Sequence, residues 1–362
     1  MTMRVGLALP QLGPHTSGPV VRGFAERAEE LGFGHLFVQQ HLFYPHDVVS
    51  GYSARPGLAV PEAYRSVLQP MELLAACAGW TSTMILGTSI LVAGYHRPVD
   101  LAQRITTLDV LSGGRTVFGF SVGWSDEEHA QYDVDPRTRG RRADELIDAM
   151  KACWGPDPVE YHGSFVDIPA SDVRPKPVQR PIPFYVGCFS ETSMRMAAAR
   201  GLHIIFAPFA AAMTFGSLGA AVRRYRELCV EAGRAPGRAK CSYFVHIAET
   251  PEEDSQGRQY LLDYFRHCVL RAFPSDPSKM PPSMHYFLKI NDVLRGMTKE
   301  SLTDKSILIG TPASIIDTLK RVEGDGIDEV ILYFNVGRKP HALVQEQMHR
   351  FAEQVAPAFR VQ

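Results

Sequence analysis

Residues 84–122 read MILGTSILVAGYHRPVDLAQRITTLDVLSGGRTVFGFSV, and this stretch decides the fold. Its two ends, 84–92 and 115–122, are short runs rich in apolar and β-branched residues, which predicts two strands. The segment between them, 99–111, is typical of a helix. A strand, a helix and a second strand in this order favour a parallel sheet.

The same alternation extends along the whole chain. Strands are predicted at 4–9, 35–38, 84–92, 115–122, 184–186, 203–207, 241–248 and 329–334. Helices are predicted at 20–31, 70–80, 99–111, 142–153, 192–200, 218–232 and 341–355, and 169–183 is a proline-rich extended connection. The strands are apolar without strict alternation, as expected when both faces are buried. A closed (β/α)8 TIM barrel, an α/β fold, explains these strands better than two open sheets.

No shift in composition marks a domain boundary, so residues 1–362 are predicted to form one barrel domain with room for insertions. An open doubly wound sheet stays an alternative, although no G-x-G-x-x-G follows the first predicted strand. The longest irregular stretch comes after strand seven and includes FPSDPSKMPPSMHYF at 273–287.

The charge balance and the cysteine content argue against several classes of protein. The 38 Lys and Arg residues balance 39 Asp and Glu without a basic block, which argues against a nucleic-acid partner. The six cysteines form no C-x-x-C pair, which predicts free thiols in a reducing compartment. No signal-peptide pattern and no run of about 18 apolar residues is present, so we expect a cytoplasmic protein without a membrane segment.

Polar and aromatic residues follow most predicted strands, where barrels gather their chemistry. They are Pro10, Gln11, Gln39, Gln40, His41, Gly94, Tyr95, His96, Arg97, Gly123, Trp124, Gly187, Cys188, Ser190, Pro208, Asn335 and Gly337. None of them is a carboxylate, which disfavours a two-carboxylate hydrolase or an oxygen-liganded metal site. His41 and His96 lack an evident third ligand, so no metal is predicted.

Two features have more than one interpretation. His41 is either a proton donor or acceptor near neutral pH, or a histidine hydrogen-bonded to a barrel loop.

Ser190, Thr192 and Ser193 open a helix after a strand that ends in glycine, and free N–H groups there suit a phosphate. A plain N-cap is the commoner explanation for such serines, and the segment alone favours it.

Trp124 and the RTRGRR run at 137–142 are also open to two interpretations. Trp124 either walls a cofactor or covers the barrel mouth, and covering is the commoner case. The arginine run either binds an anion or is a solvated helix start. Within it, Arg139 lies near the predicted top of strand four.

Eight motifs occur in order along the chain: MRVGLALPQLG, LGFGHLFVQQH, LGTSILVAGYHRPVDLAQRITTLDVLSGGR, FGFSVGW, RADELIDAMKACW, VEYHGSFVDI, RPKPVQRPIPFYVG and GTPASIIDTLKRVEGDGIDEVILYFN. Together they resemble the bacterial-luciferase-like superfamily of flavin and deazaflavin oxidoreductases over nearly the whole chain. The combination of ITTLDVLSGGR with FSVGW is specific, whereas each alone is weak.

The resemblance implies a (β/α)8 barrel with an insertion after strand seven, here about 273–303, which serves as a lid. It also implies an isoalloxazine-type ring across the barrel mouth. The ring lies against a bulge of strand three at Ser89 and Ile90, and the peptide bond between these two residues is cis in the family.

The resemblance implies a catalytic histidine at the end of strand two, here His41, and phosphate-contacting hydroxyls at Ser190 and Ser193. The cofactor site is completed by residues at other strand ends and at one helix start: Ser89, Ile90, Ser121, Gly123, Trp124, Arg139 and Gly187. The substrate pocket is expected to include Gln11, Tyr95, His96 and Tyr333.

The chain also departs from the family pattern. Ser121 stands where luciferase itself has a reactive cysteine, and Val122 stands at its phosphate-binding arginine, for which Arg139 is the substitute. Gln40 replaces the acidic residue beside the histidine. Trp124 stands near the catalytic glutamate of deazaflavin-dependent sugar-phosphate dehydrogenases, which argues against that reaction.

Two branches of the superfamily and one non-enzymatic alternative remain. The segment 332–359 resembles FMN-dependent monooxygenases, which use O2 and reduced FMN from a partner reductase on small organic substrates. The segments 42–45 and 60–70 resemble oxidoreductases that use the deazaflavin coenzyme F420. We favour FMN on the C-terminal segment and the missing glutamate. A non-catalytic flavin-binding barrel is the third hypothesis, and the resemblance implies a homodimer in each case.

Overall fold

Eight parallel strands close into a barrel in the computed structural model, which describes residues 3–13, 16–43, 66–135, 137–266, 286–304, 307–336 and 338–359. The strands are β1 (Arg4–Ala8), β2 (His35–Val38), β3 (Ile85–Val92), β4 (Thr116–Ser121), β5 (Val159–His162), β6 (Asp167–Ser171), β7 (Phe184–Gly187), β8 (His203–Phe206), β9 (Ala239–Ile247), β10 (Ile307–Gly310) and β11 (Glu329–Tyr333). The barrel order is β1-β2-β3-β4-β7-β8-β9-β11, and β11 pairs again with β1. The predicted TIM barrel is confirmed, and the open-sheet alternative is wrong.

Helices surround the barrel. They are α1 (Gly18–Glu30), α2 (Pro70–Trp80), α3 (Pro98–Leu111), α4 (Asp126–Ala130), α5 (Arg139–Cys153), α6 (Glu191–Ala199), α7 (Pro208–Phe215), α8 (Leu218–Glu231), α9 (Pro251–Tyr264), α10 (Tyr286–Arg295), α11 (Pro312–Gly324) and α12 (His341–Gln354). Every predicted strand and helix is present, with ends shifted by at most three residues. Within the described ranges, none of the helices combines the length and the apolar character needed to cross a bilayer.

Several elements were not predicted from the sequence. They are the antiparallel hairpin β5–β6, the strand β10, and the helices α4, α7, α9, α10 and α11. The region 273–303, expected to be irregular, contains α10, while 273–285 lies outside the described residues. The insertion after the seventh barrel strand therefore includes α9, α10 and β10. A sequence signal existed for α9, because Thr250 and Glu253 form a capping box at its start.

Three apolar clusters hold the fold together. The largest lies between the outer faces of the strands and the helices. A second fills the barrel interior with Ala8, Phe37, Val117, Tyr185, Ile205 and Ile331. A third lies at the mouth, where α9 and α10 contribute Leu261, Leu262, Phe265, Ile290 and Leu294. Side chains thus fill the barrel interior beneath the mouth, and the insertion covers the mouth itself.

The motif ITTLDVLSGGR has a structural role. The buried Asp109 carboxylate accepts hydrogen bonds from the Thr116 hydroxyl at 2.7 Å and from the Gln179 side chain at 2.7 Å. Arg115 donates to the carbonyls of Thr81 and Met84, at 2.9 and 2.6 Å. Asp109 therefore joins α3 to β4 and to the segment before β7, and Arg115 closes the C-terminal end of α2. The motif marks the family through its fold rather than its chemistry.

β3 carries a bulge at the residues that the resemblance singles out. The register with β4 shifts between Thr88 and Leu91, and the Ser89–Ile90 peptide is cis, as the resemblance implies. The Thr88 hydroxyl accepts from Gly119 N at 2.9 Å and donates to Gly119 O at 3.0 Å. A Cβ at position 119 would lie 2.5 Å from the Thr88 carbonyl oxygen, so the glycine permits this close approach. Thr88 and Gly119 therefore fix the bulge.

A buried ionic network occupies the opposite end of the barrel. The Glu329 carboxylate contacts His35 Nδ1 and lies 2.5 Å from Lys240 Nζ. Lys240 Nζ also lies 4.1 Å from the centre of the Tyr185 ring and 4.7 Å from that of Phe37. Burial raises the pKa of Glu329, but Lys240 and His35 lower it below its ordinary value, so the carboxylate is ionised. This end of the barrel, where the strands begin, usually contributes to stability rather than to catalysis in TIM barrels.

The two hydrogen bonds between the Thr88 hydroxyl and the Gly119 backbone predict a loss of stability when the hydroxyl is removed. Thr88→Val keeps the side-chain volume but leaves the N–H and C=O of Gly119 without their buried partner, so we expect a loss of about 1–3 kcal/mol in the free energy of unfolding. Thr107→Val is the matched control, because Thr107 is exposed on α3. Urea unfolding measures both. Equal small losses in the two variants would contradict the proposed bridging role.

The Lys240–Glu329 pair predicts strong non-additivity. Lys240→Met keeps apolar cover over the rings but leaves the buried Glu329 carboxylate short of its cation, so we expect a loss of about 3–5 kcal/mol. The double variant Lys240→Met/Glu329→Leu removes the uncompensated charge and should regain most of that stability. Chemical denaturation of Lys240→Met, Glu329→Leu and the double variant measures the coupling energy between the two residues. Additive losses would show that the pair is not coupled.

Candidate active site at the barrel mouth

The loop that leaves β2 carries His41, and side chains from two other segments hold it. Gln11, after β1, accepts from Gln39 N at 2.8 Å and donates to Gln39 O at 2.6 Å. Gln69, at the N-cap of α2, donates to His41 O at 2.9 Å. The loop has no neighbouring strand to pair with. These side chains therefore supply the hydrogen-bond partners that its buried backbone groups need. The position of His41 is therefore fixed from both sides.

The short helix α4 brings a buried carboxylate to the same loop. Glu128, 1% exposed, accepts from Leu42 N at 2.7 Å and from the Tyr95 hydroxyl at 2.7 Å. Its Oε1 atom lies 3.5 Å from His41 Nδ1. Burial raises the pKa of Glu128, but the contacts with His41, Tyr95 and Leu42 bring it below its ordinary value. The site therefore pairs an imidazole with an ionised carboxylate.

The turn after β4 explains how Glu128 reaches this place. Gly123 has φ +73°, and a Cβ there would lie 2.5 Å from Val92 Cγ1, so the chain can turn sharply only with glycine. Ser125 then caps α4, since its Oγ accepts from Glu128 N at 3.1 Å. His129 Nδ1 lies 2.6 Å from Ser125 O, and burial lowers the pKa of this imidazole. The short helix is thus locked in place.

Glu128 is the candidate functional residue that the sequence reasoning missed. The family pattern directed attention to the position beside the histidine, which is Gln40 in this chain. The carboxylate comes instead from a position 87 residues later in the sequence, brought close by the β4–α4 turn. The S-x-x-E pattern of Ser125 and Glu128 is an N-cap signal that would have located the helix start at the mouth.

Gln40 joins β2 to β3 rather than carrying charge. Its backbone N–H donates to Ile90 O at 3.1 Å, and its Oε1 accepts from Val92 N at 2.8 Å. His96 Nε2 lies 3.0 Å from the same oxygen. Burial and the nearby Arg104 lower the pKa of His96 to about 4, so the ring is neutral at pH 7 and its Nε2–H donates to Gln40.

The floor of the mouth is formed by the bulge of β3 and the ends of three other strands. A Cβ on Gly187 would lie 3.5 Å from Ser121 Cβ and 3.7 Å from Ile90 Cγ2, so these three residues are neighbours. Tyr333, at the end of β11, packs with Ile90 in the interior cluster. Burial raises the pKa of Tyr333 to about 12, partly opposed by a hydrogen bond with Ser89. The residues named for the floor carry no ionised group.

Aromatic residues roof the mouth. The Trp124 ring lies 5.7 Å from the His41 ring at an interplanar angle of 64°. Trp124 also packs against the cluster formed by α9 and α10. The Phe244 ring lies 5.5 Å from the Tyr333 ring and 5.6 Å from the Tyr264 ring, and so connects the barrel to α9. Trp124 therefore contacts both the His41 ring and the insertion, and its contact with a cofactor stays a prediction.

The N-terminus of α6 has the geometry of a capping box. Ser190 Oγ accepts from Ser193 N and Ser193 Oγ accepts from Ser190 N, both at 3.3 Å. The plain N-cap is therefore present, and the phosphate contact of these serines stays a prediction. Burial raises the pKa of the neighbouring Cys188 to about 12, so this thiol is protonated at neutral pH.

The arginine run 137–142 is engaged with protein groups. Arg139 is 6% exposed, and its Nη1 lies 3.9 Å from Asp126 Oδ1 at the start of α4. Arg137 pairs with Asp135 at 2.8 Å, and the Arg142 guanidinium lies 4.5 Å from the centre of the Phe165 ring. A phosphate contact by Arg139 stays a prediction. Among the described residues, no three His, Cys, Asp or Glu side chains are grouped as metal ligands.

The sequence has relatives among curated proteins. An uncharacterised protein of Mycobacterium tuberculosis is 34% identical over 164 residues, which is 45% of this chain and 58% of that protein. The chain thus spans little more than half the length of this relative. The oxygenase component of the flavin-dependent trigonelline monooxygenase of Acinetobacter baylyi is 24% identical over 302 residues, covering 80% of each chain.

Solved structures share the fold. The monooxygenase RslO1 from Streptomyces bottropensis matches with a TM-score of 0.76 at 23% identity, over 99% of this chain and 100% of that one. An F420-dependent secondary alcohol dehydrogenase, in complex with an F420–acetone adduct, matches with a TM-score of 0.75 at 16% identity over the whole of both chains. The model of the luciferase-like monooxygenase family matches residues 3–329. This chain therefore belongs to the luciferase-like monooxygenase family.

Proposed function

We propose that this protein is a flavin-dependent monooxygenase that uses reduced FMN and O2 on a small organic substrate. The observation that carries the proposal is the pairing of His41 with the ionised Glu128 beside an apolar mouth. The name of the trigonelline monooxygenase relative supports a flavin and an oxygenation. The family itself supports the same reaction class.

The residues at the mouth fit a planar flavin-type ring. Ile90, Ser121 and Gly187 form a floor without charge or bulk, and the absence of a side chain at Gly187 leaves room above it. The phosphate of FMN is proposed to bind near Ser190 and Ser193, where the first N–H groups of α6 have no helical partner. Gly123, Trp124, Ser89 and Arg139 complete the proposed cofactor site.

Reduced FMN, when bound, supplies the electrons that activate O2 for transfer of one oxygen atom to the substrate. His41 holds or transfers a proton at the substrate or the cofactor. Trp124 and the helices α9 and α10 exclude water from the mouth, which limits wasteful loss of reducing equivalents. The lid of about 273–303 belongs to this proposal, because α10 lies within it.

The substrate pocket is proposed to include Gln11, Tyr95, His96 and Tyr333. Gln11 and Tyr95 are almost fully buried and act by fixing the His41 loop and Glu128. His96 and Tyr333 are partly exposed at the ends of β3 and β11. Phe244 and Trp124 add aromatic surface, which favours an apolar or aromatic substrate.

F420-dependent hydride transfer is the second candidate function. The likeness to an F420-dependent alcohol dehydrogenase supports it through the fold alone, and the segments 42–45 and 60–70 resemble that branch. A non-catalytic flavin-binding barrel is the third candidate. The proposal further includes a partner flavin reductase, a homodimer, a cytoplasmic location, one barrel domain and a site without metal.

Cofactor titration tests the proposal. We expect reduced FMN to bind at least about tenfold more tightly than F420 in either redox state, a difference of about 1.4 kcal/mol. Anaerobic fluorescence titration of the full chain measures the four dissociation constants. Tighter binding of F420 would support hydride transfer instead. Tight FMN binding without substrate-stimulated O2 uptake, over a panel of small apolar compounds, would support the non-catalytic barrel.

Substitution of the histidine tests its role. His41→Ala should lower turnover by about two to four powers of ten, the usual contribution of general acid–base catalysis, while FMN binding changes little. The control is His162→Ala, because the His162 side chain is 60% exposed on the hairpin. A reductase-coupled O2 assay measures turnover. Wild-type turnover in His41→Ala would remove His41 from the mechanism.

A further inference from the structure

Glu128 is a fixed, ionised hydrogen-bond acceptor. Its Oε2 accepts from the Tyr95 hydroxyl at 2.7 Å, and its Oε1 accepts from Leu42 N at 2.7 Å and Phe43 N at 3.4 Å. The cap provided by Ser125 holds its backbone. Because a carboxylate with several N–H and O–H donors has little freedom to rotate, its Oε1 stays directed at the His41 loop.

The carboxylate constrains the protonation of His41. Glu128 Oε1 lies 3.5 Å from His41 Nδ1, a long hydrogen-bonding distance of the kind common in active sites without substrate. An ionised carboxylate can only accept, and an unprotonated Nδ1 would bring two lone pairs together. The hydrogen on a neutral His41 is therefore favoured at Nδ1, which leaves Nε2 with the lone pair.

The other titratable groups near α4 do not compete for this role. His129 lies against the carbonyls of Ser125 and Val122, at 2.6 and 3.0 Å, so its two ring nitrogens are engaged with the backbone. Asp126, on the same helix as Glu128, lies beside Arg139, the first residue of α5. Among the described residues, Glu128 is the acidic side chain within 4.0 Å of the His41 imidazole.

We propose that Glu128 is a positioning residue that selects the tautomer of His41, with the proton on Nδ1 and Nε2 as the atom that exchanges protons at the mouth. For its effect on rate, the inference rests on the proposed function. In the reaction, the Nε2 lone pair accepts a proton from an O–H or N–H group of substrate or cofactor, and the imidazolium formed is stabilised by Glu128. The same proton returns from Nε2 to product, so His41 and Glu128 end unchanged. Carboxylates orient imidazoles in this way in other active sites.

Nitrogen NMR of the full chain labelled with ¹⁵N-histidine tests the inference without any assay of activity. The spectrum is recorded at pH 8, where an ordinary imidazole is neutral, and the His41 signals are assigned by their loss in His41→Gln. We expect a protonated Nδ1 in the wild type. In Glu128→Gln the tautomer ratio should change at least about tenfold toward protonated Nε2, equivalent to about 1.4 kcal/mol. Glu127→Gln, one residue away on α4, is the matched control and should keep the wild-type ratio.

A protonated Nε2 in the wild type would overturn the inference, and this result does not depend on whether Glu128→Gln folds. An unchanged ratio in a folded Glu128→Gln would overturn it as well. Tyr95→Phe supplies a second variant, because it keeps the carboxylate charge and should keep the Nδ1 proton.

Kinetics then separate this inference from the proposed function. Glu128→Gln should lower kcat about 10- to 100-fold, with KM and the FMN dissociation constant within about twofold of the wild type. A change in tautomer without oxygenase activity in any form of the protein would refute the proposed function but support the inference. Full kcat in a variant with the altered tautomer would overturn the positioning role.

Discussion

The loop after β2 must satisfy its backbone polar groups without a strand partner, and the active site depends on how it does so. Gln11 supplies both partners for Gln39, and Gln69 and Glu128 bind the C=O and N–H of the peptide unit that follows His41. These side chains come from three different strand–helix units, which only the closed barrel brings together. The imidazole therefore cannot be positioned by its own segment, and its geometry is a property of the whole fold.

Two buried glutamates show how the barrel treats charge at its two ends. Glu329 is neutralised by Lys240 at 2.5 Å, and this pair is enclosed by aromatic rings in the interior. Glu128 accepts from the Tyr95 hydroxyl at 2.7 Å and lies 3.5 Å from the His41 imidazole. Glu329 thus has a cationic partner in addition to its contact with His35, whereas Glu128 is held by a hydroxyl, a backbone N–H and His41. A buried lysine and His35 keep Glu329 in its charged form, whereas hydrogen bonds and His41 do so for Glu128.

The sequence predicted the barrel strands because strands buried on both faces produce short, continuous apolar runs. It failed for α9 and α10, which lie in the insertion, and for α11, which follows the unpredicted strand β10. It located His41, since a strand end is a local signal. It missed Glu128, because that contact joins residues 87 positions apart and depends on the positive φ of Gly123. The motif that best marked the family, around Asp109 and Arg115, proved to be structural.

A serine cap and an anion site are compatible at the start of α6, because they use different donors. The cap engages Ser193 N–H with Ser190 Oγ, whereas the N–H groups that precede Ser193 in the first turn remain for a ligand. The acidic Glu191 in that turn pairs with Arg195 at 2.7 Å and Arg224 at 2.8 Å, which reduces its repulsion of an anion bound at the helix N-terminus. The serine hydroxyls can rotate to donate to an anion. A phosphate at this helix therefore requires new hydroxyl orientations but no rearrangement of the backbone.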